Sequence, residues 1–264
     1  MKSAQSVDSF ELHPALNGAR ACIFDAGGTL VHPDWPRLSQ IAKKVSGQAF
    51  EEDEMGRAFG EMLRTVGIEM QHEDFVPADD MKRPHWTFRR MYSVLGLNAV
   101  TCESVVELLD GAHLERHLWC GIDSEVPRVL DELKRQGLLL AVISNTEDGR
   151  LTDSLDASRI TDRFDLLIDS HLVGHRKPDA EIFQLALERL KLAADEAAYV
   201  GDSYVHDALA ARAVGLRGIL LDALDLYPES VCPRIGSLSE LIEQNSGVRS
   251  QESGVRSQES EVRS

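Results

Sequence analysis

The chain of 264 residues has no uninterrupted run of 18 apolar residues, which excludes a transmembrane helix from the expectation. Cysteine is scarce. Cys22, Cys102, Cys120 and Cys232 stand far apart and form no C-x-x-C pair. That excludes a disulfide scaffold and a paired-cysteine metal site, and it points to reduced thiols in a cytoplasm. Positive charge is short as well. Lys and Arg total 28 against 44 Asp and Glu, a net charge of −16. Such a surface repels nucleic-acid phosphates and anionic membrane, so neither is an expected partner. Residues 1–15 hold one Lys and no apolar stretch, so no secretory signal is expected there.

The rest is the composition of an ordinary soluble globular protein, with 43% apolar and 27% charged residues. The heptapeptide beginning at Ser246 repeats from Ser253 and again in part from Ser260. Each repeat has one apolar residue, Val, where a coiled-coil seam needs two. Residues 246–264 are therefore expected to be a disordered tail, and residues 1–18 a loose leader. Between them, short apolar runs bounded by turn residues read as buried strands: Ala21–Phe24, Leu138–Ile143, Leu166–Ile168, Ala197–Val200 and Gly218–Leu221. Helical patterns separate them at Glu125–Gln136, Asp179–Leu190 and His206–Val214. Strand, helix, strand at this spacing implies βαβ units and a doubly wound parallel α/β sheet.

One interval breaks the alternation. Residues 35–119 read as helices, at Pro36–Val45, Glu51–Val66, Trp86–Leu95 and Glu103–Leu118. This is a helical insert after the first strand, between core segments 19–34 and 120–245. Ligands of open α/β sheets bind beyond the carboxyl ends of strands, so an insert there should cover the site.

The chemistry-bearing residues fall at those strand ends. Asp25 follows Ile23-Phe24 and precedes Gly27-Gly28-Thr29, where backbone amides can face a ligand. Ser144 ends a second apolar run; helix capping is its plain alternative. Lys177 precedes Pro178-Asp179, where a solvated loop residue is the ordinary reading. Asp202 leaves a further strand and Asp207 follows five residues later, a carboxylate pair suited to a hard cation such as Mg²⁺. Each signal is weak alone; four in order at strand ends are not expected of a structural protein.

The set resembles the haloacid dehalogenase-like (HAD) hydrolase superfamily over about residues 19–243, and within it subfamily IA near the domain-containing-3 (Reg-2-like) group. Asp25 to Thr29 match its D-x-D-G-T motif, Ser144 its second motif, Lys177-Pro178-Asp179 its third, and Gly201-Asp202 with Asp207 its fourth. The helical insert resembles a C1-type cap. The resemblance implies a Rossmann-like core and hydrolysis of a small phosphorylated substrate. Asp25 would be the nucleophile that forms an aspartyl-phosphate. Mg²⁺ would be held by Asp25, the Gly27 backbone carbonyl and Asp202. Ser144, Lys177, Asn145 and the amides of Gly28 and Thr29 would hold substrate oxygens, and Asp207 would act from behind the metal.

The sequence departs from the family at Gly27, where its phosphatases carry a second Asp as general acid and base. Losing such a group costs ~10²–10⁴-fold. His32 or Asp34 could substitute, although an ordinary loop role for His32 is the plainer reading. Two alternatives compete: a metal-independent 2-haloacid dehalogenase, whose leaving halide needs no proton, and a catalytically weak relative that binds a phospho-ligand or a partner. Retention of Asp202 argues against the first. An Asp restored at position 27 is expected to meet backbone strain if Gly27 has a positive φ. The one basic and aromatic stretch of the insert, Lys82–Arg90, faces either a substrate anion or solvent, the latter with Trp86 packed inward.

Overall fold

The computed structural model describes residues 10–72, 76 and 78–244. The tail at 246–264 and leader residues 1–9 lie outside them. The leader is not loose from Phe10 onward. β1 (Phe10–Leu12) pairs antiparallel with β10 (Ile242–Gln244), and Leu16 in the following turn is fully buried. Two apolar residues in a polar leader were too short a signal to show this.

The central sheet has six parallel strands in the order β6-β5-β2-β7-β8-β9. They are β2 (Ala21–Phe24), β5 (Leu139–Ser144), β6 (Leu166–Asp169), β7 (Ala197–Gly201), β8 (Arg217–Leu221) and β9 (Arg234–Ile235). Every residue of β2 and β7 is buried, as strands covered on both faces must be. On one face α5 (Glu125–Arg135) presents Val126, Val129, Leu130 and Leu133 to Cys22, Phe24, Leu140 and Val142. On the other, α8 (Ala180–Leu190) packs Ile182, Phe183 and Ala186 on Ile23, Ile143 and Tyr199. Gly201 and Gly218 allow close approach of the next element: a Cβ on Gly218 would lie 2.2 Å from the Ala208 carbonyl oxygen.

The insert holds α1 (Trp35–Ser46), α2 (Glu52–Met70), α3 (Trp86–Val94) and α4 (Ala99–Glu115). They share a core of their own, centred on Leu38, Met55, Phe88, Met91, Tyr92 and Leu109. Its two connections to the sheet domain pair with each other as β3 (His32–Pro33) and β4 (Trp119–Gly121). Asp34 caps α1 through the Arg37 amide at 3.3 Å and forms an ion pair with Arg116. No helix among the described residues is long and apolar enough to cross a membrane.

The expected helix at His206–Val214 is split. Tyr204–Leu209 is a wide π turn, and only Ala210–Ala213 (α9) is α-helical. The Ser203 carbonyl accepts from both the Asp207 and the Ala208 amides. Such widened turns concentrate at functional sites. Between β5 and β6 lies α6 (Leu151–Ala157), and the short α7 (Ser170–Val173) follows β6.

Candidate active site

The ends of β2, β5 and β7 converge. Asp25 follows β2, and its amide donates to the Val200 carbonyl of β7 at 2.8 Å. Lys177 arrives from the loop before α8 and is 3% exposed. Its Nζ donates to Asp25 Oδ1 at 2.5 Å, to Asp207 Oδ1 at 2.6 Å and to the Tyr199 hydroxyl at 3.0 Å. All three protons of the ammonium are used. Tyr199 donates in turn to Asp207 Oδ1 at 3.1 Å. Asp207 Oδ2 accepts the Ser203 amide at 3.0 Å, which the π turn makes possible. The plain reading of Lys177 as a solvated loop residue therefore fails.

Carboxylate oxygens of Asp25, Asp202 and Asp207 all lie within 4.8 Å of one another. One ammonium faces three acids. Burial pushes the Asp25 carboxyl up, against the pull of Lys177, to about 6. Asp202 has no basic side chain in contact among the described residues. Burial, then Asp25 and Asp207, push its carboxyl well above the usual range. Burial alone would lower Lys177, but Asp207 and Asp25 outweigh it and raise it. A cluster of hard oxygen donors with surplus negative charge fits a divalent cation such as Mg²⁺. Gly28 is built around it: φ is +89°, and a Cβ there would lie 2.1 Å from Asp202 Oδ2.

The turn after Asp25 differs in detail from expectation. The Gly28 amide donates to the Val31 carbonyl at 2.7 Å, and the Thr29 amide to the Ala26 carbonyl at 3.3 Å. Neither residue lines the cavity over the acids, whereas Ala26 and Gly27 do. Thr29 Oγ1 lies 3.5 Å from Asp25 Oδ2. The positive φ is at Gly28, not at Gly27, so backbone strain is not what opposes a side chain at 27. The obstacle is Trp119. A Cβ on Gly27 would meet two atoms of its indole ring at 3.1 Å. The ring occupies the space where the family's second Asp would stand.

Ser144 lines the cavity and is buried. It does not cap a helix, since α6 begins at Leu151 behind Arg150. Asn145 also borders the cavity, but its amide grips the backbone of Lys177: Nδ2 donates to the carbonyl at 2.9 Å and Oδ1 accepts the amide at 2.9 Å. That is a positioning role rather than the expected substrate contact. His32 and Asp34 are absent from the cavity wall. His32 packs on Gly121 and donates from Nδ1 to the Pro33 carbonyl at 2.9 Å, while Asp34 serves α1.

The cavity has a volume of about 540 Å³ and lies between the acids and the insert. Tyr199 and Trp119 were missed in the sequence. A Tyr inside an apolar strand run reads as core, and nothing in the order of residues aims Trp119 at Gly27. The cavity also holds His113, His117 and Asp148, whose ligating atoms lie within 4.8 Å of one another. The bonding there is already complete for His113: Nδ1 accepts the Leu118 amide at 3.2 Å and Nε2 donates to Asp148 Oδ2 at 2.9 Å. A histidine with both nitrogens so used suits an inter-element clasp, not a metal ligand. Burial, reinforced by His113, lowers His117 to about 4, and burial lowers His206, beside Ser203, also to about 4.

A haloacid dehalogenase-like hydrolase family model matches residues 19–215. Haloacid dehalogenase-like hydrolase domain-containing protein 3 of Mus musculus is 38% identical over 115 residues, 41% of this chain and 45% of that protein. Its Homo sapiens counterpart is 38% identical over 119 residues, covering 43% and 47%. A phosphoserine phosphatase of Thermus thermophilus is 35% identical over 121 residues, covering 44% and 48%. The matches thus span about half the length of these relatives. Among solved structures, a dehalogenase with an intermediate complex superposes with TM-score 0.59 at 20% identity, over 85% of this chain and 96% of that one. The magnesium-bound putative HAD-hydrolase YfnB of Bacillus subtilis gives 0.57 at 18%, over 84% and 96%. At that identity these two show the fold alone. With the family model covering most of the sheet domain and all of the insert, this chain belongs to the haloacid dehalogenase-like hydrolases, and among the relatives it matches are the domain-containing-3 proteins.

Proposed function

We propose that the protein hydrolyses a small phosphorylated metabolite through Asp25, with Mg²⁺ as cofactor. The observation that carries the reading is the cluster itself. Asp25 and Asp207 share the Lys177 ammonium while Asp202, in the same cluster, has no paired cation among the described residues. Asp25, Asp202 and the Gly27 carbonyl would hold the metal, which supplies charge neutralisation between a carboxylate and an anionic phosphoryl group.

The remaining work falls to the chain. An Asp25 carboxylate oxygen attacks phosphorus; the Oδ–P bond forms as the bond to the leaving oxygen breaks, and the leaving group departs with that electron pair. Water then cleaves the aspartyl-phosphate, releasing phosphate and the free carboxylate. Lys177 fixes the Asp25 rotamer and stays protonated, with Asp207, Tyr199 and Asn145 fixing Lys177 in turn. Ser144 and the Gly27 amide would meet phosphoryl oxygens as charge develops, with the Lys177 charge close by on Asp25. Position 27 supplies no proton to the leaving group. Phosphatases among the similar proteins support the phosphoryl reading, including the one from Thermus thermophilus and a pyrophosphatase of Bacillus velezensis. The dehalogenase reading explains the missing acid but leaves Asp202 without a task. Four free thiols suit a reducing cytoplasm.

The test is Asp25→Asn. Hydrolysis of p-nitrophenyl phosphate and acetyl phosphate with Mg²⁺ should fall at least ~10³-fold while circular dichroism is unchanged. Wild-type rates in the variant, or chloride release from 2-chloropropionate that resists EDTA, would overturn the proposal.

A further inference from the structure

From the walls of the cavity we infer the class of substrate: a phosphomonoester with one phosphoryl group and an aromatic leaving group that bears no further charged substituent. This rests on the phosphoryl-transfer reading above and extends it to the half of the cavity away from Asp25. Three observations point the same way.

The first is the placement of cations. Among the described residues, the only Lys and Arg on the cavity wall are Arg176 and Lys177, both from the loop that meets the phosphoryl end. The insert lends none. Its basic stretch is taken up in ion pairs away from the cavity wall: Lys82 pairs with Asp79, Arg83 and the buried Arg89 with Glu103, and Arg90 with Glu69, Arg90 also lying over the Trp86 ring at 5.7 Å. Pro84, Trp86 and Phe88 from the same stretch face the cavity instead. The acids on this wall include Asp110, joined to His85, and Asp148, joined to His113. A second phosphate or a carboxylate on the substrate would meet no countercharge here and would be repelled.

The second is the shape of the wall. Trp119 packs edge-on against Phe59 at 5.5 Å and tilted against Phe88 at 5.7 Å. With Leu63, Val66 and Leu114 these rings line the cavity with apolar groups, the kind of wall that takes up an aromatic ring.

The third is chemical. Position 27 is a glycine with the Trp119 ring close against it, so no general acid stands there. A leaving group that departs without protonation must be a weak base. A phenolate is; an alkoxide is not. The residue that removes the acid is the same one that builds the aromatic wall, so both features select one class of ester.

The test uses phosphonates, which bind without being cleaved, in titration calorimetry with saturating Mg²⁺. Phenylphosphonate should bind about tenfold or more tightly than methylphosphonate, from burial of one ring. Phosphonoacetate should bind no more tightly than methylphosphonate. Phe59→Leu should reduce the phenyl-to-methyl ratio to below about threefold. Leu114→Lys, at a solvent-exposed wall position, should raise phosphonoacetate affinity about tenfold by adding the missing cation. Equal binding of phenyl- and methylphosphonate, or wild-type preference for phosphonoacetate, overturns this inference and leaves the phosphoryl reading standing. If methylphosphonate itself fails to bind, the phosphoryl reading falls and this inference with it.

Discussion

A single contact explains why the phosphatase pattern breaks at Gly27. Two indole atoms of Trp119 stand 3.1 Å from where its Cβ would be, so any side chain must displace a ring that is packed against Phe59 and Phe88. Gly27→Asp alone is therefore expected to leave glycerol phosphate turnover within about threefold of wild type, since the packed ring must give way before the carboxylate can settle. Gly27→Asp with Trp119→Val opens that place and should raise turnover by up to ~10²-fold. Steady-state rates of the two variants and of Trp119→Val decide it. A large gain in the single variant would show that the ring yields freely. The order of residues revealed the vacancy at 27 but not its cause, because Trp119 is 92 positions away and reaches Gly27 only through the pairing of β3 with β4. The same distance in sequence hid Tyr199, while His32 takes the plainer loop role and Asp34 caps α1, so neither substitutes for the missing acid. Proximity to the motif along the chain is not proximity to the cavity when the chain turns away at Pro33.

Among the elements, β2, β5, β6, β7, β8 and α8 were legible to within a residue or two, because apolar runs closed by turn residues have little choice of structure. The insert helices were legible as helices, and α2 simply runs on to Met70. The π turn was not. Tyr204 to Leu209 has an ordinary helical pattern, and the widening comes from tertiary demands: Asp207 must reach Lys177 while Ala208 packs under β8. Gly218→Ala tests that demand. Its Cβ would stand 2.2 Å from a backbone oxygen of the turn, which cannot rotate aside as a side chain would. Urea unfolding should show a loss of about 1–3 kcal/mol. Turnover should fall too, because a displaced turn moves Asp207 off the Lys177 ammonium. A variant as stable and active as wild type would mean that the turn is not pinned by the strand.

At the scale of the whole molecule, the site opposes the stability of the fold that carries it. Three carboxylates crowd one ammonium, and Asp202 is the member without a paired cation among the described residues. In metal-free protein its charge is disfavoured by burial and by the other two acids. Asp202→Asn removes that charge and keeps the shape. It should raise the melting temperature in EDTA at pH 8 by a few degrees, since about 1 kcal/mol corresponds to ~2–4 °C in a protein of this size. The same change should abolish the stabilisation by Mg²⁺, which for an intact site amounts to about 2.7 kcal/mol at one hundred times Kd. The two curves then cross: the variant melts higher without metal and lower, relative to wild type, with it. Scanning calorimetry of both proteins in EDTA and in excess Mg²⁺ reads the crossing directly. If Asp202→Asn lowers the melting temperature in EDTA, the carboxylate is a structural member of the core. The surplus negative charge would then need another explanation than a cation held between β2 and β7.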